Sequence, residues 1–75
     1  MLIPLLFSID GGAARRMVGD LDAIEARWRS KGLHPMTPAG EFPINAAHSV
    51  TREADVLTVI TTEGSVLMFR IERRR

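Results

Sequence analysis

Asp10-Gly11-Gly12, followed by Arg15 and Arg16, is the segment of this chain that comes nearest to a binding site. Free amides at the start of a helix, with the positive end of its dipole, hold phosphate groups. The spacing does not support that chemistry. Neither G-x-G-x-x-G nor G-x-x-x-x-G-K-[ST] is present, and the Asp10 carboxylate would repel an anion. A strand-to-helix turn in which Asp10 caps the helix accounts for the same residues.

The remaining reactive residues are scattered. His34 and His48 are the only histidines, with Glu41 and Glu53 the nearest carboxylates in sequence. Zinc needs three or four convergent ligands, and cysteine is absent, so neither metal nor disulfide chemistry is expected. Ser8, Ser30, Ser49 and Ser65 lack the G-x-S-x-G context that activates a serine nucleophile. No catalytic residue and no cofactor is expected. The basic end of the chain is the last candidate. Arg70, Arg73, Arg74 and Arg75 form a patch whose guanidinium forks match phosphate geometry, which makes nucleic-acid binding the alternative function. Few aromatics accompany it (Phe7, Trp28, Phe42 and Phe69), and most of them are expected in a core, so base stacking has little to draw on.

The elements that must position these residues are more legible than the chemistry. The net charge of +1 implies no polyanionic partner for the chain as a whole, and 75 residues allow one domain with one small core. Such a domain gains stability by oligomerising when it has no disulfide or metal to staple it. The basic residues are arginine except for Lys31, and alanine is frequent, a flavour associated with GC-rich bacterial or phage genomes. The apolar run at residues 2–9 lacks a basic leader and contains Pro4, so it reads as a buried first strand rather than a signal peptide or a membrane span. Cytoplasmic residence is compatible with the missing cysteines.

Met17, Leu21, Ile24 and Trp28 recur at helical spacing, widened by Ala14 and Val18, which predicts a helix from about residue 11 to Lys31. Arg16–Asp20 and Glu25–Arg29 would be i,i+4 ion pairs along it, and Gly32 and Pro35 would end it. Gly19 has no packing reason in that helix. Residues 33–41 read as a loop, and Phe42, Ile44, Ala46, His48 and Val50 as one face of a strand.

From Asp55 to Glu72 two β-branched stretches flank Glu63-Gly64, the pattern of a β-hairpin. A two-residue loop would set Thr62 opposite Ser65, Ile60 opposite Leu67, Thr58 opposite Phe69 and Val56 opposite Ile71. Val56, Ile60, Leu67, Phe69 and Ile71 would then share the face under the helix. Leu57, Val59, Val66 and Met68 would share a second apolar face with no cover. The expected fold is α+β, a single domain in β-α-β-β-β order with one amphipathic helix on a mainly antiparallel four-stranded sheet. The expected function is a non-catalytic protein-protein interaction module, a homodimer that associates through Leu57, Val59, Val66 and Met68.

Overall fold

The computed structural model describes residues 1–73. Its elements are β1 (Ile3–Ile9), β2 (Arg15–Gly19), α1 (Leu21–Arg29), β3 (Met36–Thr37), β4 (Gly40–Glu41), β5 (Ala47–Glu53), β6 (Val56–Thr61) and β7 (Val66–Ile71). Five of the strands form one antiparallel sheet in the order β2-β1-β7-β6-β5, and β3 and β4 form a small separate ribbon. The domain is α+β with one helix on one face of a mainly antiparallel sheet. The sheet has five strands where four are expected from the sequence, because the segment before the helix also pairs.

That segment is the first correction. Residues 15–19 are a strand, and the helix begins only at Leu21. Met17 and Gly19 face the core while Arg16 and Val18 face away, so the stretch satisfies a period of two as well as one of 3.6. Pairing with β1 decides between them. Asp20, not Asp10, is the N-cap: its carboxylate accepts the amides of Asp22 (3.0 Å) and Ala23 (3.4 Å). Gly19 is buried at the strand-to-helix junction. A Cβ there would lie 3.2 Å from Ile24 Cδ1 and 3.4 Å from Leu5 Cδ1, which supplies the packing reason the sequence lacked. Asp10 has a left-handed φ of 51° and extends the β1–β7 ladder, accepting the Val66 amide on its carboxylate at 2.8 Å.

The second correction is the hairpin register. Ile60 pairs with Val66, Val59 with Leu67, Thr58 with Met68, Leu57 with Phe69 and Val56 with Arg70. Thr62, Glu63 and Gly64 form the loop, closed by Thr61 N–H to Ser65 O (2.9 Å) and Gly64 N–H to Thr61 O (3.0 Å). Gly64 takes φ 91°, the left-handed position of a three-residue hairpin loop. Relative to a two-residue loop the pairing slips by one residue, and a one-residue slip moves one strand's side chains to the opposite face. Leu57 and Val59 therefore join Leu67 and Phe69 beneath the helix, each at 0% exposure.

The third correction lies before β5. Pro43 and Asn45 (φ 60°) make a turn where a strand from Phe42 is expected, and β5 continues through Thr51, Arg52 and Glu53. The core is Leu5 and Phe7 of β1, Leu57 and Val59 of β6, Leu67 and Phe69 of β7, and Leu21 and Trp28 of α1, with Ala46. The Phe7 and Phe69 rings lie 5.0 Å apart, and Trp28 packs on Phe42 at 5.3 Å. Burying side chains of this size contributes about 1.5–3 kcal/mol each. The β3–β4 ribbon is tied to the sheet by Arg15, whose guanidinium donates to Pro38 O at 3.1 Å.

Candidate interaction surface

Strand alternation divides the sheet into two unlike faces. One carries the core and α1. The other is open, because no element among the described residues packs on it. Register places the open-face side chains in rows. Arg16, Leu6, Arg70, Val56 and Glu53 cross the sheet from β2 to β5, followed by Ser8, Met68, Thr58 and Thr51. A third row holds Val66, Ile60 and Ser49, and Pro4 and Val18 lie at the opposite end. Val18 is 67% exposed and Ile60 36%; Leu6, Val56, Val66 and Met68 are half-buried by their neighbours in the sheet. The centre of the face is therefore apolar.

This surface differs from the one expected. Val66 and Met68 lie on it, whereas Leu57 and Val59 are core residues and are removed from it by the register slip. Pro4, Leu6, Val18, Thr58 and Ile60 take part instead. Reading Thr62-Glu63-Gly64 as a three-residue loop with glycine at its left-handed position would have revealed the pairing.

The charges differ between the faces as well. Under the helix, Arg52 reaches from β5 to Asp22 (2.6 Å) and Glu25 (3.1 Å) of α1. Its guanidinium is held charged above the ordinary arginine range, chiefly by the hydrogen bond to Asp22, with desolvation opposing. On the open face Arg16 pairs with Glu72 at the β2 corner, and that hydrogen bond, with Coulombic attraction second, raises the Arg16 pKa. Arg70 and Glu53 have no ion-pair partner among the described residues.

The arginine patch is not gathered as one group. Arg70 stands near the middle of the open face, while the Arg73 guanidinium is bound to Asp55, its Nε at 2.7 Å. Arg74 and Arg75 lie outside the described residues. His34 closes the loop after the helix, its Nδ1 donating to Phe42 O at 3.1 Å while its own carbonyl accepts from Arg27 (3.0 Å). His48 sits in β5, at the bulge between Ala47 and Ser49. Ser30 is the helix C-cap, donating to Ala26 O at 2.9 Å. Among the described residues no three His, Asp or Glu side chains come close enough to hold a metal ion. Nor is any helix there long and apolar enough to cross a membrane.

No family model matches the chain, and neither a curated protein nor a solved structure matches it.

Proposed function

We propose that this chain is a small non-catalytic interaction module of the cytoplasm that self-associates by stacking the open face of its sheet on a second copy. The observation that carries the reading is the apolar, uncovered centre of that face, formed by Leu6, Val56, Ile60, Val66 and Met68. Surfaces of this kind mark interaction sites. Size supports the same reading. Five strands about 4.8 Å apart, each with six residues rising about 3.3 Å, make a face of roughly 24 by 20 Å. Two such faces stacked remove on the order of 1,000 Å² from water, the lower bound for a specific interface.

Sedimentation equilibrium at micromolar concentration tests it. A dimer is expected for the wild-type chain and a folded monomer for Met68→Asp. A wild-type monomer over the whole accessible concentration range overturns the proposal. Nucleic-acid binding through Arg70 and Arg73–Arg75 has less support, because Asp55 already engages Arg73. Counterion release would make such binding fall steeply with salt, so low-salt titration with DNA and RNA distinguishes the two readings.

A further inference from the structure

Arg70 and Glu53 are the two open-face charges without ion-pair partners among the described residues, and the register sets them symmetrically. Arg70 lies opposite Val56 across the β7–β6 pair, and Glu53 lies opposite Val56 across the β6–β5 pair. They flank β6 in one row, about 9–10 Å apart at the backbone by the strand spacing, and no ion pair joins them within the chain among the described residues. An arginine in the middle of an apolar face is an anchor of the kind that dominates interfaces when its charge is met.

Resting on the self-association proposed above, we infer that the two copies stack about a two-fold axis running along β6, so that Arg70 of each protomer pairs with Glu53 of the partner subunit. The symmetry follows from the strand order. A two-fold axis along β6, in the plane between the stacked faces, exchanges β7 with β5 and keeps each row at its own height. Arg70 then falls on Glu53 twice. Along the axis Val56, Thr58 and Ile60 meet their own copies, and Met68 and Val66 cover Thr51 and Ser49. Stacked sheets sit about 10 Å apart, a gap that two long side chains reaching from opposite sides close. The obvious competitor is an axis along β7, the middle strand, which covers more of the sheet. It places Arg70 on Arg70, and like charges facing each other across a desolvated interface disfavour that arrangement. The β6 axis overlaps only β5, β6 and β7, about three-fifths of the area that full stacking of the faces would bury, and leaves Pro4, Leu6 and Val18 outside the contact, so the dimer is of the weak class that small interfaces form.

Charge reversal measured by sedimentation equilibrium tests the placement. Arg70→Glu and Glu53→Arg are each expected to weaken dimerisation by about tenfold or more, since each removes two attractive pairs and creates two repulsive ones. The double variant Arg70→Glu/Glu53→Arg is expected to return to within about threefold of wild type. Both side chains are exposed, and a thermal melt checks that the variants fold. If one reversal unfolds the chain, the milder cycle Arg70→Gln, Glu53→Gln and the double glutamine variant reads the same coupling. A wild-type dimer with harmless single reversals, or with no rescue in the double variant, overturns the β6 axis and leaves self-association standing. A monomeric wild-type chain overturns both.

Discussion

The two faces of this sheet are made by the same strands yet treat their residues in opposite ways. On the helix side Leu5, Phe7, Leu57, Val59, Leu67 and Phe69 are almost wholly removed from water, Arg52 is engaged by two carboxylates of α1, and Arg15 donates to Pro38 O. On the other side residues of similar character, Leu6, Val56, Ile60, Val66 and Met68, remain partly wet, and Arg70 and Glu53 have no ion-pair partner among the described residues. Side-chain type does not distinguish the two sets. Cover does. The single nine-residue helix and the β3–β4 ribbon cover one face only, and among the described residues no further element lies on the second.

The strongest way to break that comparison is to place the same charge on each face. Val59→Asp buries a carboxylate where exposure is zero and is expected to abolish folding, whereas Met68→Asp, which stays hydrated, is expected to fold and lose only self-association. Circular dichroism with sedimentation separates the outcomes. Equal tolerance of both would mean that the faces have been assigned wrongly.

Truncation of the cover comes next. Trp28 is 5% exposed, and Trp28→Ala should cost about 3–5 kcal/mol, comparable with the entire stability of a small domain. Among the described residues its indole Nε1 has no hydrogen-bond partner, so Trp28→Phe removes an unsatisfied donor along with the lost volume. The phenylalanine variant should therefore fold, at a cost of about 1–2 kcal/mol by chemical denaturation.

Gly64→Ala probes the loop that sets the register. With φ at 91° an added Cβ strains the backbone although no atom lies within 4 Å of it, and a loss of about 1–2 kcal/mol is expected. Gly40→Ala, in the outlying β3–β4 ribbon with φ 117°, provides the control. If Gly64→Ala changes dimerisation more than Gly40→Ala does, the register of the hairpin and the open face are coupled.

The smallest expected effect concerns the helix cap. The Asp20 carboxyl is held below the usual carboxylate range, first by its hydrogen bond from the N-terminal ammonium (3.0 Å), with the Ala23 and Asp22 amides adding to the shift against desolvation. A depressed folded-state pKa contributes stability that is complete above the unfolded-state value. That stability is lost as pH falls through the folded-state value. Asp20→Asn keeps a cap but loses the charge pairing with the N-terminal ammonium, so it should lower stability modestly at neutral pH and flatten the acid side of the stability curve. A thermal melt series across acidic pH reads this directly. An acid limb identical to wild type would remove Asp20 from the account.

Much of the covered face was legible in the residues. The 3-4 spacing of Leu21, Ile24 and Trp28 placed a helix and its buried stripe, and the β-branched runs around Gly64 placed a hairpin. Two things were decided by tertiary structure. Residues 15–19 match a helix extended backward from Leu21 and equally a strand that alternates Arg16 and Val18 against Met17 and Gly19. The free edge of β1 and the cap at Asp20 select the strand. The hairpin is apolar on both sides, so its two possible registers bury similar side chains, and nothing in the pattern itself favours one. The three-residue loop with Gly64 in the left-handed region and the fit of Leu57 and Val59 beneath α1 make that choice. A one-residue slip exchanges the faces of a strand, so the open surface could be located only once the register was known.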